Sequence, residues 1–118
     1  MDEFDIPIFK KVYDLYKTVH HIRASVPKQD RHTLWQRCED TSLDIIEGIL
    51  QATSMPRTEK VPVLNKVSIK LNLLRIFARL SHDTKSIDVM KYTSLQEIMD
   101  EIGRMLGGWI KSSKQQKD

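Results

Sequence analysis

The sequence is poor in cysteine and glycine, and each scarcity closes a class of function. Cys38 is the single cysteine among 118 residues, so an internal disulfide framework and a multi-cysteine zinc site are both excluded. Three of the four glycines fall between Gly103 and Gly108, which leaves no material for a glycine-rich phosphate loop. No apolar run reaches the roughly 18–20 residues that span a bilayer. The N-terminus carries Asp2, Glu3 and Asp5 and no apolar stretch, so no secretory signal is expected and a reducing, cytoplasmic setting is the default. Strand-like alternation is missing as well.

What remains has a soluble globular balance, 40% hydrophobic and 30% charged, in a length that suits one compact domain over 1–118. Four prolines punctuate it. Pro7 can open a helix, Pro27 can close it, Pro56 can end a second and Pro62 can open a third. Between these marks the apolar residues recur at helical spacing. The first seam is Ile8, Val12, Leu15, Val19, Ile22 and Val26. After Asp30, a candidate N-cap, the second runs Leu34, Cys38, Thr41, Ile45, Ile49 and Ala52. The third runs Val61, Leu64, Val67, Leu71, Leu74 and Ala78, and the fourth, after Ser86 or Asp88, runs Tyr92, Leu95, Met99, Ile102, Leu106 and Trp109. Helices are expected over roughly 7–25, 31–53, 61–83 and 88–112, with a polar tail over 113–118 that frays. Short connections force sequential neighbours antiparallel, so the fold class is all-α, an up-down-up-down antiparallel four-helix bundle.

Several seams are wider than a lone bundle requires. Leu43, Ile46 and Leu50 widen the second, Ile69, Ile76 and Leu80 the third, and Ile98, Met105 and Ile110 the fourth; Phe9, Tyr13 and Tyr16 lie off the first. These residues either extend the core or form a second apolar face reserved for other subunits. Gly103 and Gly107 stand four apart in the last segment. Each costs about 1 kcal/mol in a helix interior, which close approach of another helix or fraying near the chain end would explain.

The formal charge of +3 conceals an uneven distribution. The third segment, over 61–81, holds Lys66, Lys70, Arg75 and Arg79 and no acid. The second, over 33–53, sets Arg37 against Glu39, Asp40, Asp44 and Glu47. Lys66, Lys70, Arg75 and Arg79, helped by Arg23, Lys28 and Arg31 around the first turn, are the candidate surface for phosphates or for an acidic partner. The same cations read equally as a solvated face, or as partners of Asp40, Asp44 and Glu47.

Catalytic signals are thin. His20, His21, His32 and His82 make no metal-binding pattern, and adjacent His20 and His21 point to different sides of a helix. Ser81, His82 and Asp83 are consecutive and cannot take triad geometry. Cys38 lies on an apolar seam and reads as a buried hydrophobe. No Glu-x-x-His pair suggests a di-iron bundle. An enzyme, a cofactor and a metal are not expected.

Three stretches carry a resemblance: PKQDRHTLWQRCEDTSLDII from Pro27 to Ile46, KLNLLRI from Lys70 to Ile76, and IMDEIGRMLGGWIKS from Ile98 to Ser112. Together they resemble the accessory variability determinant family of diversity-generating retroelements, within a wider set of four-helix-bundle proteins that includes those encoded in ribosomal RNA intervening sequences. The resemblance spans about Ile8 to Ser112 and is most specific in its C-terminal stretch. It implies a non-catalytic bundle that assembles into a ring-like pentamer and binds a reverse transcriptase together with RNA or DNA. Its implied task is mutagenic retrohoming, in which a template repeat is copied with errors at adenines and replaces a variable repeat in a target gene. It matches the family's basic third helix to Lys70, Arg75 and Arg79. The other implied reading is an orphan bundle of the intervening-sequence type with a structural or protein-interaction role.

Overall fold

The computed structural model describes residues 6–115; Asp2, Glu3 and Asp5 of the N-terminal reading, and 116–118 of the polar tail, lie outside them. Among the described residues the chain is all helix and turn. Helix α1 spans Pro7–Ile22 and tightens into a 3-10 turn, Arg23–Ser25. A single-turn α2, Lys28–Arg31, leads to α3, Leu34–Thr53. Helices α4, Arg57–Asp83, and α5, Val89–Lys114, complete the chain. The four long helices pack α1 on α3, α3 on α4, α4 on α5 and α5 on α1, the cycle of an antiparallel four-helix bundle.

Three boundaries differ from the sequence expectation, each for a local reason. Asp30 does not cap the second long helix. It sits inside α2, and its carboxylate accepts a 2.6 Å hydrogen bond from Ser86 Oγ. That bond ties the α1–α3 connection to the α4–α5 loop. Helix α4 begins at Arg57, and Pro62 lies inside it. The Pro56 carbonyl accepts from the amides of Glu59 and Lys60 at 3.0 and 3.2 Å, so the first turn closes before Pro62 is reached. The helical bond lost at Pro62 would have ended on the Thr58 carbonyl, and Thr58 is exposed to water. At the far end α5 continues through Lys114, and Ser113 is buried rather than frayed.

Asp88 caps α5, accepting from the Lys91 backbone N–H at 2.9 Å. That bond, reinforced by the Lys91 ammonium, holds its carboxyl below the usual aspartate range. The contribution of the cap is therefore present above the ordinary aspartate pKa and is lost as acid titrates the group through its lowered value. Lys85, in the preceding turn, takes the left-handed conformation with φ 66°.

The four seams meet as one core. Val12, Leu15, Ile45, Ile49, Leu64 and Ile102 are completely shielded from solvent. Leu34 is only half-buried, and Trp35 takes its place in the core, with its indole N–H donating to the Val19 carbonyl at 3.0 Å. The widened seams divide. Phe9 is buried, while Ile46, Ile98, Met105 and Ile110 pack half-buried against the core. Leu43, Leu50, Ile69, Ile76 and Leu80 are exposed, so they do not extend it. Leu71 and Leu74, at 3% and 2% exposure, lie on the buried side of the same helix. Leu71→Ala and Leu74→Ala should each cost about 2–5 kcal/mol in denaturant unfolding; losses below about 0.5 kcal/mol at both positions would place that seam outside the core.

Candidate polyanion and partner surface

The seven candidate cations do not share one face. The phase of α4 sends Lys70 toward α3, where its ammonium pairs with Asp44 at 3.1 Å. It sends Arg75 toward α5, where the guanidinium pairs with Asp100 at 2.5 Å and donates to the Met99 carbonyl at 3.1 Å. Gly103 makes room for this arginine, since a Cβ there would lie 2.9 Å from Arg75 Nη2. The close approach suggested for Gly103 is thus made by a side chain of the neighbouring helix, whereas Gly107 and Gly108 open onto free space. Arg79 approaches Asp83 of its own helix at 3.9 Å, with both groups largely exposed. Lys66 is exposed and has no ion-pair partner among the described residues. It lines a shallow groove of about 320 Å³ between α3 and α4, with Asp44, Glu47, Gln51 and Lys70.

The first-turn cations are equally divided. Arg23 donates to Glu39 at 2.9 Å and to Gln36 at 3.2 Å, and its second nitrogen lies 3.0 Å from His32 Nδ1. The Glu39 side chain is only 8% exposed, so Arg23 neutralises a buried carboxylate. Arg31 holds the turn through the carbonyls of Val26 and Ala24, at 2.7 and 3.1 Å. Lys28 projects into solvent.

A second basic region escaped the sequence reading. Arg57 donates to the Gln115 carbonyl at 3.4 Å, and the Lys60 ammonium lies 5.0 Å from the centre of the Trp109 ring. The start of α4 and the end of α5 therefore meet at one end of the bundle. Segments 57–66 and 103–115 carry six cations against Glu59 alone. The signal was present in the sequence as Arg104, Lys111 and Lys114 without an acid. It was hidden because the two segments are far apart along the chain. Part of this charge complements the negative C-terminal end of the α5 dipole.

No catalytic group is assembled from the residues singled out. Burial pushes the Cys38 thiol up to about 12, opposed by a hydrogen bond with Ser81 and aided by the Glu39 charge. Ser81 Oγ donates to the Phe77 carbonyl, and the His82 ring stacks on Tyr92 with centroids 4.8 Å apart. Among the described residues no group of three or more His, Cys, Asp or Glu could hold a metal ion. No described helix is long and apolar enough to cross a membrane.

The chain is thus a small all-α bundle whose surface chemistry consists of charged ends and exposed apolar stripes. A family model described as bAvd-like matches residues 7–113, and the chain belongs to that family, the accessory-variability-determinant kind to which the sequence pointed. A search of curated proteins returns no match.

Two outcomes follow from this geometry. Removing one partner of a largely buried ion pair leaves the other uncompensated, so Arg23→Ala should cost about 2–4 kcal/mol, whereas Lys28→Ala should shift stability by less than about 0.5 kcal/mol; equal effects in thermal melts would contradict the assignment. Cys38 should resist a thiol-specific reagent in the native protein and react at an ordinary rate once the chain is unfolded. Rapid native labelling at pH 8 would show the thiol to be accessible.

Proposed function

We propose that the protein is a non-enzymatic accessory subunit of a diversity-generating retroelement. It acts in the cytoplasm as a homo-oligomeric scaffold, a pentamer on the family resemblance, that holds the reverse transcriptase and its nucleic acid during mutagenic retrohoming. The observation that carries this reading is the family match across residues 7–113. The basic end where α4 starts and α5 finishes supports the nucleic-acid part. Lys111 and Lys114 are exposed there while Lys60 is half-buried, and the arrangement suits phosphates, which require only cations at a surface. Lys111 and Lys114 supply charge there, and Lys28 adds a further exposed cation at the opposite end.

One observation favours the alternative, a bundle of the intervening-sequence type with a structural or protein-interaction role. Lys70, Arg75 and Arg79 each have a carboxylate within 4 Å in their own chain, so the most basic helix spends much of its charge internally.

A salt titration separates the two. Affinity for duplex DNA should fall as salt rises, with a log–log slope of about −0.9 per phosphate contact. Lys111→Ala combined with Lys114→Ala should weaken binding and flatten that slope by up to about 2. Arg75→Ala should lower the melting temperature with little change in the slope. Absence of salt-dependent binding to both DNA and structured RNA would leave the protein-interaction reading standing.

A further inference from the structure

Two apolar rows lie outside the bundle, on different helices. On α3, Leu43 and Leu50 are 45% and 44% exposed; on α4, Ile69 and Ile76 are 67% and 56% exposed, with Leu80 continuing the row. Each pair is seven residues apart, close to two helical turns, so each row runs straight along its helix for about 10 Å. Single exposed hydrophobic residues are ordinary. Two rows of equal spacing, bordered by charges of opposite sign, are a different matter.

Asp40 and Glu47 are exposed beside the α3 row. Lys66 and Arg79 are exposed beside the α4 row, and no acid occurs between Lys60 and His82. Glu47 and Lys66 both line the α3–α4 groove, yet neither has an ion-pair partner among the described residues. We propose that the α3 row of one copy docks on the α4 row of a second copy of this chain, apolar against apolar and acidic against basic. This rests on the homo-oligomer reading above and adds the two faces that make the contact. Charge disfavours the symmetric alternatives. A two-fold pairing of α4 with α4 would oppose two basic helices, and α3 with α3 would oppose two acidic ones, each like-charge arrangement being costly. Contact between unlike faces is heterologous, so every copy keeps one face of each kind for the next; the assembly closes into a ring where the rotation between copies permits it and otherwise extends as a filament.

The test uses two neutral double variants. Leu43→Gln with Leu50→Gln removes the α3 row, and Ile69→Gln with Ile76→Gln removes the α4 row. By analytical ultracentrifugation the wild type should sediment as a multimer larger than a dimer, and each variant alone at the monomer mass of 13.8 kDa. An equimolar mixture should form a one-to-one pair, because each variant retains the face that the other needs. If the mixture stays monomeric, the contact is not between unlike faces and the proposal fails. If both variants remain multimeric like the wild type, the faces are wrong while the homo-oligomer reading survives. A wild type that is monomeric at high micromolar concentration sinks both, and the rows then serve another partner. Should either double variant lose its helical circular dichroism, the surface exchange Glu47→Lys and Lys66→Glu decides instead. Each single reversal should weaken association about tenfold or more, and both in one chain should restore it; no restoration overturns the pairing.

Discussion

Val67 seated against Gly48 sets the rotation of α4 about its own axis, and the surface of the protein follows from that contact. A Cβ at position 48 would collide with the Val67 side chain, so the two helices approach as closely as a glycine permits. With Val67 turned inward, Leu64, Leu71, Leu74 and Ala78 fall into the core by helical repeat. The same phase turns Ile69 and Ile76 outward. It leaves no freedom for the cations either, sending Lys66 and Lys70 to the α3 flank and Arg75 to the α5 flank.

Gly103 does for α5 what Gly48 does for α3. It admits the Arg75 guanidinium into a notch beside the helix backbone, where Asp100 and the Met99 carbonyl receive it. The two glycines therefore fix α4 from both sides, one by apolar contact and one by a charged side chain. A surface arginine with an exposed carboxylate contributes little. Arg75 is more constrained, because its second bond is to a backbone carbonyl and its path lies through a gap that any other residue at 103 would narrow.

The bundle was legible because its signals are local. Helical spacing, Pro7, Pro27 and Pro56 depend only on near neighbours, and they specified four helices and most of the core. The exceptions arose where two local signals competed. Pro62 reads as a helix start, but Pro56 offers the same opening six residues earlier, and a proline just inside a helix leaves only an exposed carbonyl unserved. Asp30 reads as a cap, yet its partner is Ser86, fifty-six positions away, and no spacing rule reports such a bond. The candidate site was less legible for the same reason. A run of four cations is visible on α4, but the carboxylates that engage three of them lie partly on other helices. The basic end joins two segments that only the fold brings together. Whether Ile69 and Ile76 widen the core or face outward was left open by the seams, since they share the seven-residue spacing of Val67 and Leu74; the phase set by Val67 against Gly48 turns them outward.

The modest net charge loses its force once the shape is considered. The molecule is 54 Å long and 25 by 21 Å across, whereas charges are screened over about 8 Å at physiological ionic strength. A polyanion at one end therefore responds to that end and not to the sum of +3. The end formed by Arg57, Lys60, Lys111 and Lys114 is basic, and the opposite end carries Asp30, Glu39, Asp83 and Asp88 alongside its own cations. In the proposed ring the copies are related by rotation about one axis. Rotation cannot invert a bundle, so whatever tilt the bundles adopt, every basic end lies at the same level along that axis. Heterologous contact through α3 and α4 leaves the end of α5 outside the contact. A charge that is weak in one copy is thereby repeated around a single rim, which is the arrangement that a long phosphate backbone can engage at many points at once.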